Sequence, residues 1–299
     1  MTMRVLLATD GSDDAQAAAA WLAGFALPDD TTVRVMTVAA VAPSSLDVPT
    51  VRDFQASLHQ EARAVADGTC AALAKRFRTV EAHVQEGDPR EALVRAAEEW
   101  PADLVVVGAR GLSAVAGFLL GSVSLAVARH APCPVLVVKN GARACRRILV
   151  AIDGSEPALA AAAFLARLPL DPAVGVTLFG VVERPRFPSA APVAAASVLR
   201  AAIEQVVAER TAALGRALGR AAAPFGERAA RVECTVTVGY PPDEIVRAAA
   251  AADADLVVVG ARGLGALKRL LLGSVSEGVL RNAERSVLIV RGVALTPPH

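Results

Sequence analysis

The chain has 299 residues and a formal net charge of +1, with 54% hydrophobic and 20% charged residues. At about 150 residues per domain, this length predicts two domains, each large enough for a sizeable core. The balanced charge argues against a nucleic-acid-binding protein, because such proteins carry a basic excess on one face. The apolar composition with moderate charge excludes an intrinsically disordered chain.

The mean hydropathy of +0.44 comes largely from alanine and does not indicate a membrane protein. The longest apolar stretch, residues 17–27, is shorter than the roughly 20 residues that span a bilayer. At the N-terminus the apolar run 4–8 meets Asp10 almost at once, which does not match a signal peptide. We therefore expect a cytoplasmic protein without a membrane partner.

Apolar, β-branched runs alternate with longer segments of helical composition through the first half. The predicted strands cover residues 5–9, 32–39, 80–85, 104–107 and 135–138, and the predicted helices cover residues 15–25, 54–77, 90–99 and 122–131. Residues 10–13 form a predicted turn with helix-capping chemistry, and residues 43–49 and 108–121 are predicted loops, the latter partly helical. Strands that alternate with helices are typical of a parallel α/β sandwich with helices on both faces.

The second half of the chain repeats motifs of the first in the same order. Residues 4–12 return as residues 147–155, and residues 103–112 return almost letter for letter as residues 255–264. The separation between copies grows from 143 residues for the first motif to 152 for the second, which indicates an insertion within the second copy. A repeat of this size is a duplicated domain, since solenoid repeats are only about 20 to 50 residues long.

We therefore predict two domains of one fold, residues 1–141 and 145–293, joined near the short polar segment 139–144. The second domain has predicted strands at residues 148–152, 176–182, 232–238, 256–259 and 287–290, and a long predicted helix at residues 195–223. Because the join is short, the two halves are expected to pack together. Parallel sheets of this kind bind ligands beyond the carboxyl ends of their strands, where the strand order reverses.

Glycines with identical spacing occur at that edge of both predicted sheets. They are Gly108, Gly111 and Gly121, followed by Ser122, and in the copy Gly260, Gly263 and Gly273, followed by Ser274. Glycines let a backbone approach a ligand closely, and a helix N-terminus offers free N–H donors that suit phosphate. The hydroxyls of Ser122, Ser124, Ser274 and Ser276 are further candidate donors to phosphate. The alternative is that these glycines only form turns and helix caps.

On these residues the chain resembles the universal stress protein family, of the tandem type with two such domains. The glycine spacing matches that family's nucleotide signature, and residues 10–12, 153–155 and 131–138 match its strand ends. The resemblance implies a flavodoxin-like or adenine nucleotide α-hydrolase-like fold that binds ATP, with magnesium as a candidate companion. The residues implied to hold the nucleotide are Asp10, Val38, Gly108, Gly111, Gly121, Ser122, Val123 and Ser124 in the first half, and Asp153, Val181, Gly260, Gly263, Gly273, Ser274, Val275 and Ser276 in the second.

Within that set the resemblance implies a division of roles. The two aspartates hold the nucleoside, the two strand valines border the adenine, and the glycines and serines hold ribose and phosphates. Two departures distinguish the copies: residues 283–287 lack the proline pair of residues 131–135, and the apolar segment 114–118 corresponds to a stretch with Lys268 and Arg269. The two basic residues therefore favour phosphate binding at the second site, whereas the closer match to the family's motif favours the first site.

The sequence offers no clear catalytic constellation. The four cysteines form no CxxC pair, and the four histidines are scattered, so neither a zinc site nor a disulfide framework is expected. Asp10 and Asp153 are candidate magnesium ligands through phosphate or, alternatively, helix-capping carboxylates. Arg110 and Arg262 either contact phosphate or are solvated loop residues.

We predict an ATP-binding sensor or regulator of the stress response that turns ATP over slowly if at all. One alternative is an enzyme that uses ATP to adenylate a substrate or hydrolyses it slowly. Another is an assembly module without a bound nucleotide, in which the terminal strands 135–138 and 287–290 matter most. In the family this edge mediates domain pairing, so the two halves are expected to pair through it. The sequence leaves open whether the whole chain also forms a homo-oligomer.

Overall fold

The computed structural model describes residues 2–39, 49–112, 120–139, 145–185, 196–226, 231–263 and 272–291. The predicted join and the segments 114–118 and 268–269 therefore lie wholly or largely outside the described residues. Strands and helices alternate through the first half as predicted. Its strands are β1 (Arg4–Ala8), β2 (Thr32–Ala39), β3 (Thr79–Glu86), β4 (Leu104–Gly108) and β5 (Val135–Val138), and its helices are α1 (Asp13–Gly24), α2 (Pro49–Leu73), α3 (Pro89–Glu99) and α4 (Ser122–His130).

The second half repeats this order of elements. Its strands are β6 (Arg147–Ala151), β7 (Gly175–Val182), β8 (Arg231–Val238), β9 (Leu256–Gly260) and β10 (Ser286–Val290), and its helices are α5 (Glu156–Ala166), α6 (Ala196–Ala222), α7 (Pro241–Ala251) and α8 (Ser274–Asn282). None of the helices in the described part of the chain is both long and apolar enough to cross a membrane.

The strands form a single ten-stranded sheet in the order β3-β2-β1-β4-β5-β10-β9-β6-β7-β8. Within each half all neighbouring strands are parallel. The strand order reverses between β1 and β4 in the first half and between β6 and β9 in the second. The loops that follow these four strands therefore face a crevice at the carboxyl edge of the sheet, which is where ligands bind in such folds.

Helices cover both faces of the sheet. Buried side chains of α1, α2, α5 and α6 form one core cluster, and those of α3, α4, α7 and α8 form the other. Alternate residues of β4 serve the two clusters, with Leu104 and Val106 on one face and Val105 and Val107 on the other. Such strands are buried on both sides, which explains their continuous apolar sequence. The predicted α/β sandwich architecture is thus confirmed.

Helix α2 departs most from its predicted bounds, 54–77. It begins at Pro49, since proline fits the first turn of a helix, where its missing N–H is not needed. It ends at Leu73, because the next residues form a turn in which the backbone N–H groups of Arg76 and Phe77 both donate to the Leu73 carbonyl. Phe77 is 1% exposed, so its apolar character belongs to the core and not to a longer helix.

The two halves share one sheet because β5 and β10 pair antiparallel. Val137 lies opposite Val287, and Leu136 lies opposite Leu288. The residue after each strand reaches into the other half: the Lys139 ammonium donates to the carbonyls of Leu280 and Ala283 at the end of α8. Reciprocally, Arg291 Nη2 donates to the Ala128 carbonyl near the end of α4, at 2.7 Å. Cations at helix C-termini are favourable, because the free carbonyls there carry partial negative charge.

Because the Lys139 ammonium is buried, the free energy of unfolding is expected to change with pH in the alkaline range. Burial lowers the pKa of Lys139 from 10.5 to about 8. Between these two values the folded chain releases a proton that the unfolded chain retains, so the contribution of Lys139 to stability rises with pH in that window. We expect the free energy of unfolding of the wild type, relative to Lys139→Met, to increase between pH 8 and pH 10.5 in urea titrations. The exposed Lys75→Met is the matched control, and a pH-independent difference for Lys139→Met would contradict the expectation.

Candidate functional site

The turn after β1 is held by its own polar side chains. Asp10 Oδ1 accepts hydrogen bonds from the backbone N of Ser12 at 3.1 Å and from its Oγ at 2.6 Å. Ser12 Oγ in turn accepts from the Ala15 backbone N and caps α1. Gly11 allows the turn because its φ of +80° is rarely adopted by other residues. The interpretation of Asp10 as the helix-capping carboxylate is therefore wrong, since Ser12 has that role.

The second half builds the same turn. Asp153 Oδ1 accepts from the Ser155 backbone N at 2.9 Å and from its Oγ at 2.6 Å, and Ser155 caps α5 through the Ala158 backbone N. Gly154 has a φ of +85°. Both aspartates are thus fixed in orientation by a serine two residues later, and both stand at the carboxyl edge of the sheet.

Gly108, which ends β4, allows α1 to lie directly against that strand. A Cβ at this position would be 2.7 Å from the carbonyl carbon of Asp14 and 2.9 Å from the backbone N of Ala15. Such distances are too short for any side chain. In the second half Gly260 meets Pro157 and Ala158 in the same way, also at 2.7 Å. The first glycine of each signature is therefore required by helix packing, whether or not a ligand is bound.

The second glycine of the signature contacts the aspartate. A Cβ at Gly111 would overlap Asp10 Oδ2, and a Cβ at Gly263 would overlap Asp153 Oδ2. Asp10 Oδ2 also accepts a hydrogen bond from the Leu112 backbone N at 2.9 Å. The glycine loop is thus tied to the turn after β1, and the two sequence motifs form one structure.

The third glycine opens a helix whose N-terminus is free of side-chain caps. Gly121 is the N-cap residue of α4, and its own N donates to the Ala109 carbonyl at 2.7 Å, which closes the loop. Gly273 has the same position before α8 and the same bond to Ala261. Because no side chain caps these helices, their first N–H groups are left for another acceptor. A helix N-terminus of this kind is a binding site for anions.

The serines after these glycines have two different roles. Ser122 and Ser274 are exposed at the first helical position, where their hydroxyls can meet a ligand. Ser124 and Ser276 are buried, and each donates its hydroxyl proton to the carbonyl of Gly108 or Gly260 at 2.6 Å. A hydroxyl has only one proton to donate. The expectation that Ser124 and Ser276 donate to phosphate is therefore corrected, since these serines anchor each helix to its glycine loop.

These groups surround one cavity in each half. The first has a volume of about 490 Å³ and the second about 360 Å³, both within the range of roughly 300–1,000 Å³ typical of small-molecule sites. The first is lined by Asp10, Val38, Gly108, Gly111, Gly121, Ser122, Val123 and Ser124. The second is lined by Asp153, Val181, Gly260, Gly263, Gly273, Ser274, Val275 and Ser276. The structure thus brings together all the residues predicted for each site.

Sequence reasoning missed the apolar walls of these cavities. Met36 and Leu93 line the first cavity, and Phe179 and Ile245 are their equivalents in the second. Met36 could have been predicted from the sequence, because side chains two positions apart on a strand share one face and Val38 was already a candidate. Leu93 had no such signal, since it reaches the cavity only through the packing of α3 on the sheet.

The two loop arginines differ from one another. Arg110 is half-buried and pairs with Asp14, with Nε 3.0 Å from Oδ2 and Nη2 3.2 Å from Oδ1. Arg262 is exposed and lines the second cavity. Arg110 is therefore held in an ion pair within the protein, which neither predicted alternative described. Arg262 remains open to both alternatives, a phosphate contact or a solvated loop residue.

The described segments show no metal-binding cluster, and the thiols of Cys133 and Cys145 are largely buried. They contain no group of three or more His, Cys, Asp or Glu residues that could hold a metal ion. Burial raises the pKa of Cys133 and of Cys145 to about 12, so both thiols are protonated at neutral pH. A protonated thiol is a poor nucleophile, which argues against cysteine chemistry at these two positions.

Comparison with known proteins identifies the family. The model of the universal stress protein family matches residues 1–139 and again residues 144–291. The chain belongs to the universal stress protein family. A universal stress protein of Thermus aquaticus is 35% identical over 140 residues, which is 46% of this chain and 100% of that protein. A putative universal stress protein of Staphylococcus aureus is 33% identical over 138 residues, 46% of this chain and 83% of that protein.

Solved structures show the tandem arrangement at full length. A universal stress protein from Archaeoglobus fulgidus matches 96% of this chain and 96% of its own, with a TM-score of 0.66 and 22% identity. A putative universal stress protein from Pseudomonas aeruginosa matches 97% of this chain and 92% of its own, with a TM-score of 0.55 and 19% identity. The two-domain fold of this universal stress protein is therefore shared with solved relatives.

The packing of Gly260 yields a stability prediction for this universal stress protein. Gly260→Ala places a Cβ against the backbone of α5, and we expect it to lower the free energy of unfolding by about 1–3 kcal/mol. Gly219→Ala is the control, because nothing lies within 4 Å of a Cβ at that position in α6. We expect this control to stabilise the protein by roughly 0.5–1 kcal/mol, since alanine is favoured over glycine in helices. Urea titration measures both, and equal effects would refute the packing argument.

Proposed function

We propose that this universal stress protein binds ATP in both cavities and acts as a nucleotide-dependent regulator of the stress response in the cytoplasm. The supporting observation is the combination found twice: a glycine loop packed against a fixed aspartate, beside an uncapped helix N-terminus, at the point where the strand order reverses. The functional units are the proposed domains 1–141 and 145–293.

The phosphates would be held by the uncapped helix N-terminus and the glycine loop. In the first site these are Gly111, Gly121 and Ser122, and in the second Gly263, Gly273 and Ser274. Backbone N–H groups supply the attraction, so few basic side chains are needed. This is consistent with the near-neutral charge of the chain.

The nucleoside would occupy the other end of each cavity. Asp10 and Asp153 are oriented there by the serines that follow them. The base would lie against the apolar walls, Met36 and Val38 in the first site and Phe179 and Val181 in the second. Magnesium accompanying ATP fits these sites, because this cation is usually bound by one or two carboxylates together with phosphate oxygens.

Turnover of ATP is less well supported than binding. Apart from Asp10, the described lining of the first cavity contains no acid, base or nucleophile other than serine and threonine hydroxyls. Asp10 itself accepts three hydrogen bonds from protein groups. Rapid phosphoryl transfer relies on positioned cations and a base or water-orienting group. In the first cavity the cation Arg110 is paired with Asp14 and Asp10 is held by protein donors, so neither is set up for that role. An adenylating or slowly hydrolysing enzyme is therefore the second candidate.

Assembly is the third candidate, and the pairing of β5 with β10 favours it. We propose that the two domains pair through these strands in solution. Pairing and nucleotide binding are compatible, because the cavities lie at strands β1, β4, β6 and β9 and not at the paired edge. Whether the whole chain also forms a homo-oligomer is tested separately, by measuring its mass in solution.

The decisive experiment asks how much nucleotide the protein binds. We expect protein purified without added nucleotide, then denatured, to release adenine nucleotide identifiable by mass, and calorimetric titration with ATP to give two sites. Gly111→Val and Gly263→Val should each remove one site, because a Cβ there displaces the aspartate. Gly219→Ala, at a residue that lines neither cavity, should retain both.

Other outcomes discriminate between the candidates. No released nucleotide together with no ATP affinity would refute the proposal and favour an assembly module. Release of ADP or AMP from ATP in the presence of an acceptor would favour an enzyme.

A further inference from the structure

The two cavities differ in one charged residue beside the glycine loop. Asp14 in α1 and Pro157 in α5 have equivalent places, since the backbone of each lies 2.7 Å from the Cβ position of the first glycine. The loop arginines Arg110 and Arg262 are equivalent as well, each two residues after that glycine. One copy therefore has a carboxylate next to its arginine, and the other has an apolar ring.

In the first site the guanidinium is neutralised by the protein itself. Asp14 Oδ2 accepts from both the backbone N and Nε of Arg110 at 3.0 Å, while Oδ1 accepts from Nη2 at 3.2 Å. This is a bidentate pair with an additional backbone bond, the strongest arrangement these groups form. A phosphate that approaches Arg110 also meets the Asp14 charge, so the net attraction is small.

In the second site the guanidinium keeps its charge available. Within the described part of the chain no carboxylate lies in salt-bridge distance of Arg262, which is exposed and lines the cavity. The charge of Arg262 is felt nearby: burial lowers the pKa of Arg291, and the positive charge of Arg262 lowers it further. The guanidinium of Arg262 is therefore the charge that distinguishes the second cavity from the first.

Besides Asp153, whose equivalent Asp10 lines the first cavity, the second cavity contains a further carboxylate, Glu183, which partly opposes this charge. Glu183 follows β7, whereas Arg262 follows β9, and β6 lies between these two strands. Two strand spacings correspond to about 10 Å, which is about one Debye length in physiological salt. Glu183 therefore belongs to the nucleoside end of the cavity, and its charge only weakly offsets that of Arg262.

We propose that the two sites are chemically distinct: the second selects nucleotides by the charge of their phosphate tail and takes the triphosphate, whereas the first is nearly indifferent to that charge. This inference rests on the proposed nucleotide binding. A charge-assisted bond between guanidinium and phosphate is worth about 1.5–3 kcal/mol, so the preference for ATP over AMP is about tenfold greater, or more, at the second site.

The test measures each site alone. Calorimetric titrations with ATP, AMP and adenosine are made on Gly111→Val, which leaves the second site, and on Gly263→Val, which leaves the first. We expect the affinity ratio of ATP to AMP to be about tenfold greater at the second site. In the Gly111→Val background, Arg262→Gln and Pro157→Asp should each weaken ATP about tenfold and leave adenosine unchanged. Arg63→Gln, an exposed arginine of α2, is the matched control.

A variant that is expected to bind ATP more tightly distinguishes a charge effect from a loss of folding. Asp14→Asn removes the carboxylate charge and still offers an oxygen to the Arg110 backbone N. In the Gly263→Val background it should raise the ATP affinity of the first site severalfold, which a damaged fold cannot do. Equal ATP-to-AMP ratios at the two sites, with no gain in Asp14→Asn, would overturn charge selection while nucleotide binding stands. Failure of both cavities to bind any of the three ligands would overturn the proposed function and this inference together.

Discussion

Close contact between a glycine and the first turn of a helix determines the geometry of each site. Gly108 lies against the backbone of Asp14 and Ala15, and Gly260 lies against Pro157 and Ala158. This contact holds the serine-capped turn after the first strand beside the loop after the fourth. Because the two loops are so close, Asp10 accepts a hydrogen bond from Leu112, and the cavity has both an aspartate and free backbone N–H groups on its wall.

The paired strands connect the two sites through the helices that open them. Helices α4 and α8 each begin at a cavity, and the C-terminal carbonyls of each accept hydrogen bonds from a cation of the other half, Arg291 or Lys139. Arg129 of α4 also pairs with Glu277 of α8 at 2.7 Å. The helices that begin at the two cavities therefore end at contacts between the two halves.

The sequence was most informative where local chemistry decides the structure. Buried strands such as β4 are continuous apolar runs, and the rule that ligands bind beyond the carboxyl ends of parallel strands pointed to the loops that carry Asp10 and the glycines. Contacts made only by tertiary packing were not predictable, as Leu93 in the cavity wall and the donation from Ser124 to Gly108 show. Phe77 is a third case, because its burial comes from a turn that periodicity does not reveal. Residues within one loop were thus identified more reliably than partners from different elements.

The same packing explains how two copies of one site can diverge. The contact that fixes each site uses backbone atoms of Asp14 and Pro157 and a glycine, so it constrains the path of the chain and not the identity of the side chain. In the first half the side chain at that position, Asp14, pairs with the loop arginine, whereas Pro157 in the second half has no polar group that could do so. A change from carboxylate to proline therefore alters the charge beside the loop arginine without changing the path of the loop. Duplication under this constraint allows the two copies to keep one loop geometry while the charge beside their cavities diverges, which is the basis of the proposed difference in phosphate selectivity.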